Sequence, residues 1–145
     1  MSNLIYKLCE KDEETLNSLG KIWLNSNITV HNFIEEEYWH NNYENVINAF
    51  KEAEIVVYTK NGKILGFCGL IDNYIAGMFI VKSDRNKGIG TKLIKYLQKE
   101  KEKLSLKVYK KNKKAVNFYH KNHFTIENLS EDENGYYEYT MYWQK

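Results

Sequence analysis

Seven consecutive residues, Arg85-Asn86-Lys87-Gly88-Ile89-Gly90-Thr91, carry the densest chemical signal in this chain. Arg85 is the only arginine among 21 lysines and arginines. A codon bias toward lysine accounts for the lysines and leaves the arginine needing its own reason. An apolar, strand-like run, Ile75 to Val81, precedes it, and helical spacing follows at Ile89, Leu93, Ile94 and Leu97. A glycine-opened turn from a strand into a helix aims several backbone N–H groups at one point, and the helix dipole adds positive potential there. That arrangement binds phosphate. The N–H groups from Lys87 to Thr91 would form the cradle. Gly88 and Gly90 would let an anion approach because they lack Cβ, and Arg85 and Lys87 would add charge. The Walker pattern is absent, and Leu93 stands where a dinucleotide motif needs its third glycine. The bland alternative is a β-to-α turn that needs positive φ and binds nothing.

The elements that must hold this turn can be read around it. Leu4 to Cys9 alternates as a first strand. Asp12 is an N-cap, after which Leu16, Leu19, Ile22 and Trp23 recur at helical spacing. Asn25 to Phe33 breaks that pattern. Glu35 to Phe50 reads as a second helix, with Glu35, Glu36 and Glu37 where its dipole favours acids. Asn61-Gly62 joins the strands Ile55–Thr59 and Ile64–Ile71 in a tight hairpin. Asp72-Asn73 turns the chain into the strand Tyr74–Val81. After the helix from Gly88 to about Lys101, the run Leu104–Val108 is a strand and Lys111–Asn122 a short helix. Two more strands, Phe124–Leu129 and Tyr136–Trp143, flank Glu133-Asn134-Gly135. Residues 1–145 thus form a single α/β domain with a mixed sheet.

Bulk properties exclude several classes. With 43% hydrophobic and 28% charged residues the chain is globular, and a net charge of +2 is too small to argue for nucleic acid or a membrane surface, so neither is expected as partner. No apolar run reaches the roughly 20 residues of a membrane span, and Met1 to Lys7 lacks the long apolar stretch of a signal peptide. Cys9 and Cys68 show no metal-ligand spacing, so no metal is expected. Two lone cysteines fit a reducing cytoplasm. Absence of proline, with abundant Lys, Asn, Ile and Tyr, points to an AT-rich bacterial genome.

Arg-x-x-Gly-x-Gly between a strand and a helix resembles the acetyl-CoA-binding turn of the GNAT superfamily of N-acetyltransferases. The segment Val108 to Phe124 resembles that family's following strand and helix, with Asn112, Ala115, Phe118 and Tyr119 supplying its Asn-x-x-Ala-x-x-Phe-Tyr core. His123 departs from the glycine common before the phenylalanine. Trp23 to Trp39 is similar to the corresponding region of small bacterial members, some of which acetylate protein lysines. The resemblance covers Leu4 to Trp143. It implies a mixed, mostly antiparallel sheet of about seven strands flanked by about four helices. It also implies acetyl-CoA as co-substrate, bound by Arg85 to Thr91 (Asn86 and Ile89 included), by Asn112, by Tyr119 and by a bulge that maps to Met78, Phe79 and Ile80. Tyr119 matches the family's general acid, protonated at neutral pH and able to supply the departing thiolate; its bland alternative is a core tyrosine. Asn112 either bonds the pantetheine arm, caps its helix, or does both.

The acceptor implied by the resemblance is a primary amine, on a protein lysine or a small molecule. It enters near the first two helices, where His31, Phe33 and Tyr38 lie, and near Tyr74. No general base is singled out among His31, His40, Glu35, Glu36, Glu37 and Asp72, and a water chain is a further route. Neither cysteine has a histidine partner in sequence, which disfavours an acetyl-cysteine intermediate. The competing functional classes are a nucleic-acid module built on Lys110, Lys111, Lys113 and Lys114, and a CoA-binding sensor without catalysis. Monomer and homodimer are both compatible with the sequence.

Overall fold

The computed structural model describes residues 3–145, so the first two positions of the Met1–Lys7 segment lie outside it. The strands are β1 (Asn3–Lys7), β2 (Glu54–Lys60), β3 (Lys63–Ile71), β4 (Tyr74–Ile80), β5 (Lys103–Tyr109), β6 (Thr125–Glu131) and β7 (Tyr137–Gln144). The helices are α1 (Glu13–Val30), α2 (Glu36–Asn41), α3 (Tyr43–Glu52), α4 (Ile89–Glu100) and α5 (Lys113–Lys121). One sheet runs in the order β1-β2-β3-β4-β5-β7-β6. Every neighbouring pair is antiparallel except β4 and β5. Among the described residues, no helix is long and apolar enough to cross a membrane.

Local chemistry explains the element boundaries. Asp12 caps α1 by accepting from Thr15 N at 2.7 Å. Asn61 and Gly62 both take positive φ, 54° and 79°, which the two-residue turn between β2 and β3 requires. β2 is buried on both faces. Ile55 and Val57 join Leu16, Leu19, Trp23, Phe50 and Phe67 on the side of α1 to α3. Val56 and Tyr58 join Leu93, Leu97, Leu106, Phe124 and Met141 on the side of α4 and α5. The two cores sandwich the sheet, and β4 and β5 run through its middle.

Two expectations about the helices are corrected. The first helix does not stop before Asn25 but continues to Val30. Its polar residues Ser26 and Asn27 are buried, with Asn27 donating to the Trp23 carbonyl one turn back at 2.8 Å. The expected second helix is two helices, making five α-helices among the described residues. Asn42 separates them: its side-chain amide donates to the Tyr38 carbonyl at 2.7 Å, and its backbone sits at φ −99°, ψ 1°. An asparagine that bonds nearby backbone competes with the helix ladder.

Candidate active site

β4 pairs with β5 only through Tyr74↔Ser105 and Ile75↔Leu106. Beyond these two pairs the strands part. The cause lies in β4, where the register with β3 passes from Gly69↔Gly77 to Leu70↔Ile75, leaving Ala76 as an extra residue. The bulge is therefore at Ala76, upstream of the expected Met78 to Ile80. Extra residues of this kind bend and twist a strand. Downstream, Val81 N donates to Leu65 O of β3 at 2.8 Å. By strand alternation the backbone of Met78 and Ile80 then faces the gap, while that of Phe79 faces β3.

The gap is a cleft of about 480 Å³. All of the residues expected to hold acetyl-CoA border it except Lys87. Lys87 is instead exposed and paired with Asp84 at 3.7 Å. Gly88 holds φ 83° as the residue preceding α4, and Asn86 is also left-handed at 64°, so the turn that aims the α4 N–H groups outward exists. The two glycines differ in their reasons. No heavy atom lies within 4 Å of a Cβ placed on Gly88, whereas one on Gly90 would stand 3.1 Å from Phe118 Cζ. Gly88 serves backbone conformation; Gly90 serves the approach of α4 to α5. Arg85 donates from Nε to the Ile80 carbonyl at 3.2 Å, and burial pulls its pKa below the ordinary arginine value. Arginine nonetheless stays charged in proteins. Helix N–H groups, one guanidinium and apolar walls form a donor set that fits a pyrophosphate followed by a pantetheine arm.

Across the cleft, Asn112 caps α5 by accepting from Ala115 N at 3.2 Å. Tyr119, 8% exposed, borders the cleft and packs against Phe118 and Phe124. Burial, with the neighbouring Cys68 as the smaller cause, pushes its phenol pKa up, so the hydroxyl stays protonated throughout the neutral range. Cys68 is fully buried and its thiol is pushed up by the same desolvation.

α1 lines the cleft with Ser26, Asn27 and Val30, and its C-cap His31 joins them. Sequence reasoning missed the first three because it ended the helix early; the i, i+3, i+4 spacing of Asn27, Val30 and His31 is the signal that places them on one face. Of the residues expected around the acceptor, only His31 reaches the cleft. Phe33 packs edge-on to His31, Tyr109 and Tyr136. Tyr38 donates to Glu133 Oε1 at 2.7 Å, and burial followed by that bond pushes its pKa up to about 12. Tyr109 donates to Asp132 at 3.0 Å. Tyr74 lies near Glu138, which with burial as the main cause raises its pKa. Glu138 itself is half-buried, its carboxyl raised first by burial and then by Asp132. An aromatic compartment with three carboxylates on its β6–β7 side thus adjoins the cleft. Of the remaining base candidates, His40 is exposed beside Glu36, Glu35 and Glu37 are exposed, and Asp72 is exposed in a left-handed turn.

Residues 51–126 match the family model described as an acetyltransferase (GNAT) domain. The chain is 34% identical over 119 residues to the peptidyl-lysine N-acetyltransferase YiaC of Escherichia coli (strain K12), covering 81% of this chain and 82% of that one. It superposes on the apo form of YjaB from Escherichia coli with TM-score 0.84 at 25% identity, over 98% of this chain and 97% of that chain. The fold is shared with yncA from Salmonella typhimurium, solved with its cofactor acetyl-CoA: TM-score 0.65, 14% identity, 98% and 93% coverage. A parted β4–β5 pair, a left-handed turn into α4 and a matching family model over half the chain lead to one conclusion: this protein belongs to the GNAT family and is an N-acetyltransferase that uses acetyl-CoA.

Proposed function

We propose that the protein acetylates lysine side chains of peptides or proteins by direct transfer, in the reducing cytoplasm of a bacterium, with Tyr119 as general acid. The observation that carries this reading is the placement of an anion cradle and a buried, protonated phenol on the same cleft. When bound, acetyl-CoA supplies an activated acetyl thioester. Arg85 and the α4 N-terminus hold the anionic end, and the outward backbone of Met78 and Ile80 offers N–H donors along the arm. Such a donor aimed at the thioester carbonyl would stabilise the oxyanion. Tyr119 Oη–H gives its proton to the departing sulfur and recovers one from solvent. The deep burial of Cys68 favours direct attack over an acetyl-cysteine intermediate. For the acceptor, the tyrosines and the carboxylates Asp132, Glu133 and Glu138 suit a long aliphatic stem ending in a cation, and the relative YiaC is a peptidyl-lysine N-acetyltransferase.

The test is Tyr119→Phe assayed with acetyl-CoA and a panel of lysine peptides and small amines. The expected outcome is a fall in kcat of about 10²–10⁴ with unchanged acetyl-CoA affinity. A variant that turns over at the wild-type rate would remove Tyr119 from the chemistry. Turnover of small amines alone would reassign the acceptor.

A further inference from the structure

His31 is fixed more firmly than a loop residue requires. Its backbone N–H donates to Asn27 O at 2.9 Å and its carbonyl accepts from Ile34 N at 3.0 Å. Its ring is wedged among Phe33, Trp39 and Tyr109, with centroid distances of 5.8, 6.0 and 4.9 Å. Nδ1 is buried without a hydrogen-bond partner, which costs stability. A buried orphan nitrogen in a native structure calls for an explanation, and one kind is a catalytic role. His31 also lines the cleft that Tyr119 lines. With Nδ1 buried, Nε2 is the ring nitrogen left to meet a substrate. His31 thus stands where the cofactor cleft meets the aromatic compartment.

We infer that His31 is the catalytic residue that receives the acceptor amine: Nε2 accepts a hydrogen bond from the amine, aims its lone pair at the acetyl carbon and takes the amine proton as the C–N bond forms. This rests on the acetyl-transfer reading above. The balance closes. The ammonium first loses one proton to solvent; the amine nitrogen then bonds the acetyl carbon and the C–S bond breaks. One proton passes from nitrogen to Nε2, one passes from Tyr119 to sulfur, and both side chains reset through solvent. Burial pulls the His31 pKa down to about 4, which keeps the ring neutral, able to accept and not repelling an incoming cation. The C-terminal end of α1, where His31 is the cap, stabilises the imidazolium as it forms. The charged groups around the compartment are Lys111 above the Phe33 ring, Asp132 bonded to Tyr109, and Glu133 bonded to Tyr38. Glu138 is the rival base. It is half-buried, opposite Tyr109 across the β5–β7 pair, and it does not border the cleft.

The test compares His31→Gln, His31→Phe and Glu138→Gln with the wild-type chain, using a lysine peptide that the wild type acetylates. H31Q keeps polarity without basicity, and H31F fills the aromatic box without an orphan nitrogen, so one of the two remains folded. The expected result is a kcat loss of about 100-fold or more in both, an unchanged acetyl-CoA-induced melting shift, and partial rescue of kcat by added imidazole in a His31→Ala variant. Retention of kcat in H31Q or H31F overturns the inference. Loss confined to E138Q also overturns it, and so does loss of acetyl-CoA binding in the His31 variants. If the wild type acetylates no amine, the acetyl-transfer reading falls first and the His31 role with it, an outcome distinct from an active wild type whose His31 is dispensable.

Discussion

Gly88 and Gly90 sit two residues apart in one turn, yet alanine should do different things at each. At Gly88 the backbone holds φ 83°, and an L side chain there costs about 1–2 kcal/mol. Nothing lies within 4 Å of the new Cβ, so that strain is the whole cost. For a chain of this length each kcal/mol is worth about 2–4 °C, so Gly88→Ala should lower the apo melting temperature by roughly 2–8 °C. Gly90 is helical, and alanine gains up to about 1 kcal/mol in a helix. Against this, the new Cβ stands 3.1 Å from Phe118 Cζ and 3.4 Å from Met78 Cε. Both neighbours are flexible side chains that border the cleft, so they yield into it. Apo stability should stay near wild type while acetyl-CoA binding weakens about tenfold. At a concentration 100 times the wild-type dissociation constant, the stabilisation by ligand would drop from about 2.7 to about 1.4 kcal/mol. Thermal melts with and without acetyl-CoA read both quantities. A Gly88→Ala protein that melts with the wild type, or a Gly90→Ala protein with an undiminished ligand shift, would refute the division of roles.

Three further outcomes are expected. Arg85→Lys should weaken acetyl-CoA about five- to tenfold by calorimetry while leaving the salt dependence unchanged, since charge is kept and the fork of donors is lost. His123 takes φ 75° immediately after α5, so His123→Gly should relieve strain of about 1 kcal/mol, raise the melting temperature by roughly 2–4 °C and leave kinetics alone. As pH falls from about 6.5 to about 4, the unfolded chain binds a proton at His31 that the folded chain does not. Stability therefore rises with pH across that window, by up to about 3 kcal/mol from this residue. Denaturant titrations should show that slope in the wild type and its loss in His31→Phe.

The cofactor side of the cleft was legible because its signals are local. A turn, a helix start and the Asn112 cap each fit within a few residues, and nearly every residue expected there borders the cleft. Lys87 is the exception: it does not border the cleft, and its side chain pairs with Asp84 three residues back. The bulge was misplaced by two residues because it depends on how β4 pairs with β3, which spacing alone does not register. The end of α1 was misread for a related reason. Ser26 and Asn27 look like a break when polar residues are assumed to face water, whereas here they face a cleft. The acceptor side was least legible. Tyr38 meets Glu133 across 95 positions, and Asp132 and Glu138 join the aromatic compartment only once β7 has been laid beside β5.

The lone arginine finds its physical reason where the sheet opens. A strand that leaves its neighbour strands its backbone groups, and the Ile80 carbonyl faces the gap with no β5 partner. Arg85 Nε donates to it at 3.2 Å, and Ser26 Oγ of α1 lies at 3.5 Å. The phosphate turn, the parted strand and the first helix are thereby joined at one oxygen. A guanidinium can spend its Nε–H on that carbonyl and still present the rest of its planar fork to an anion. An ammonium on a flexible stem has no fixed second set of donors to turn the other way. Twenty positions in this chain carry lysine; the one that ties the parted strand to the turn and lines the cleft carries arginine.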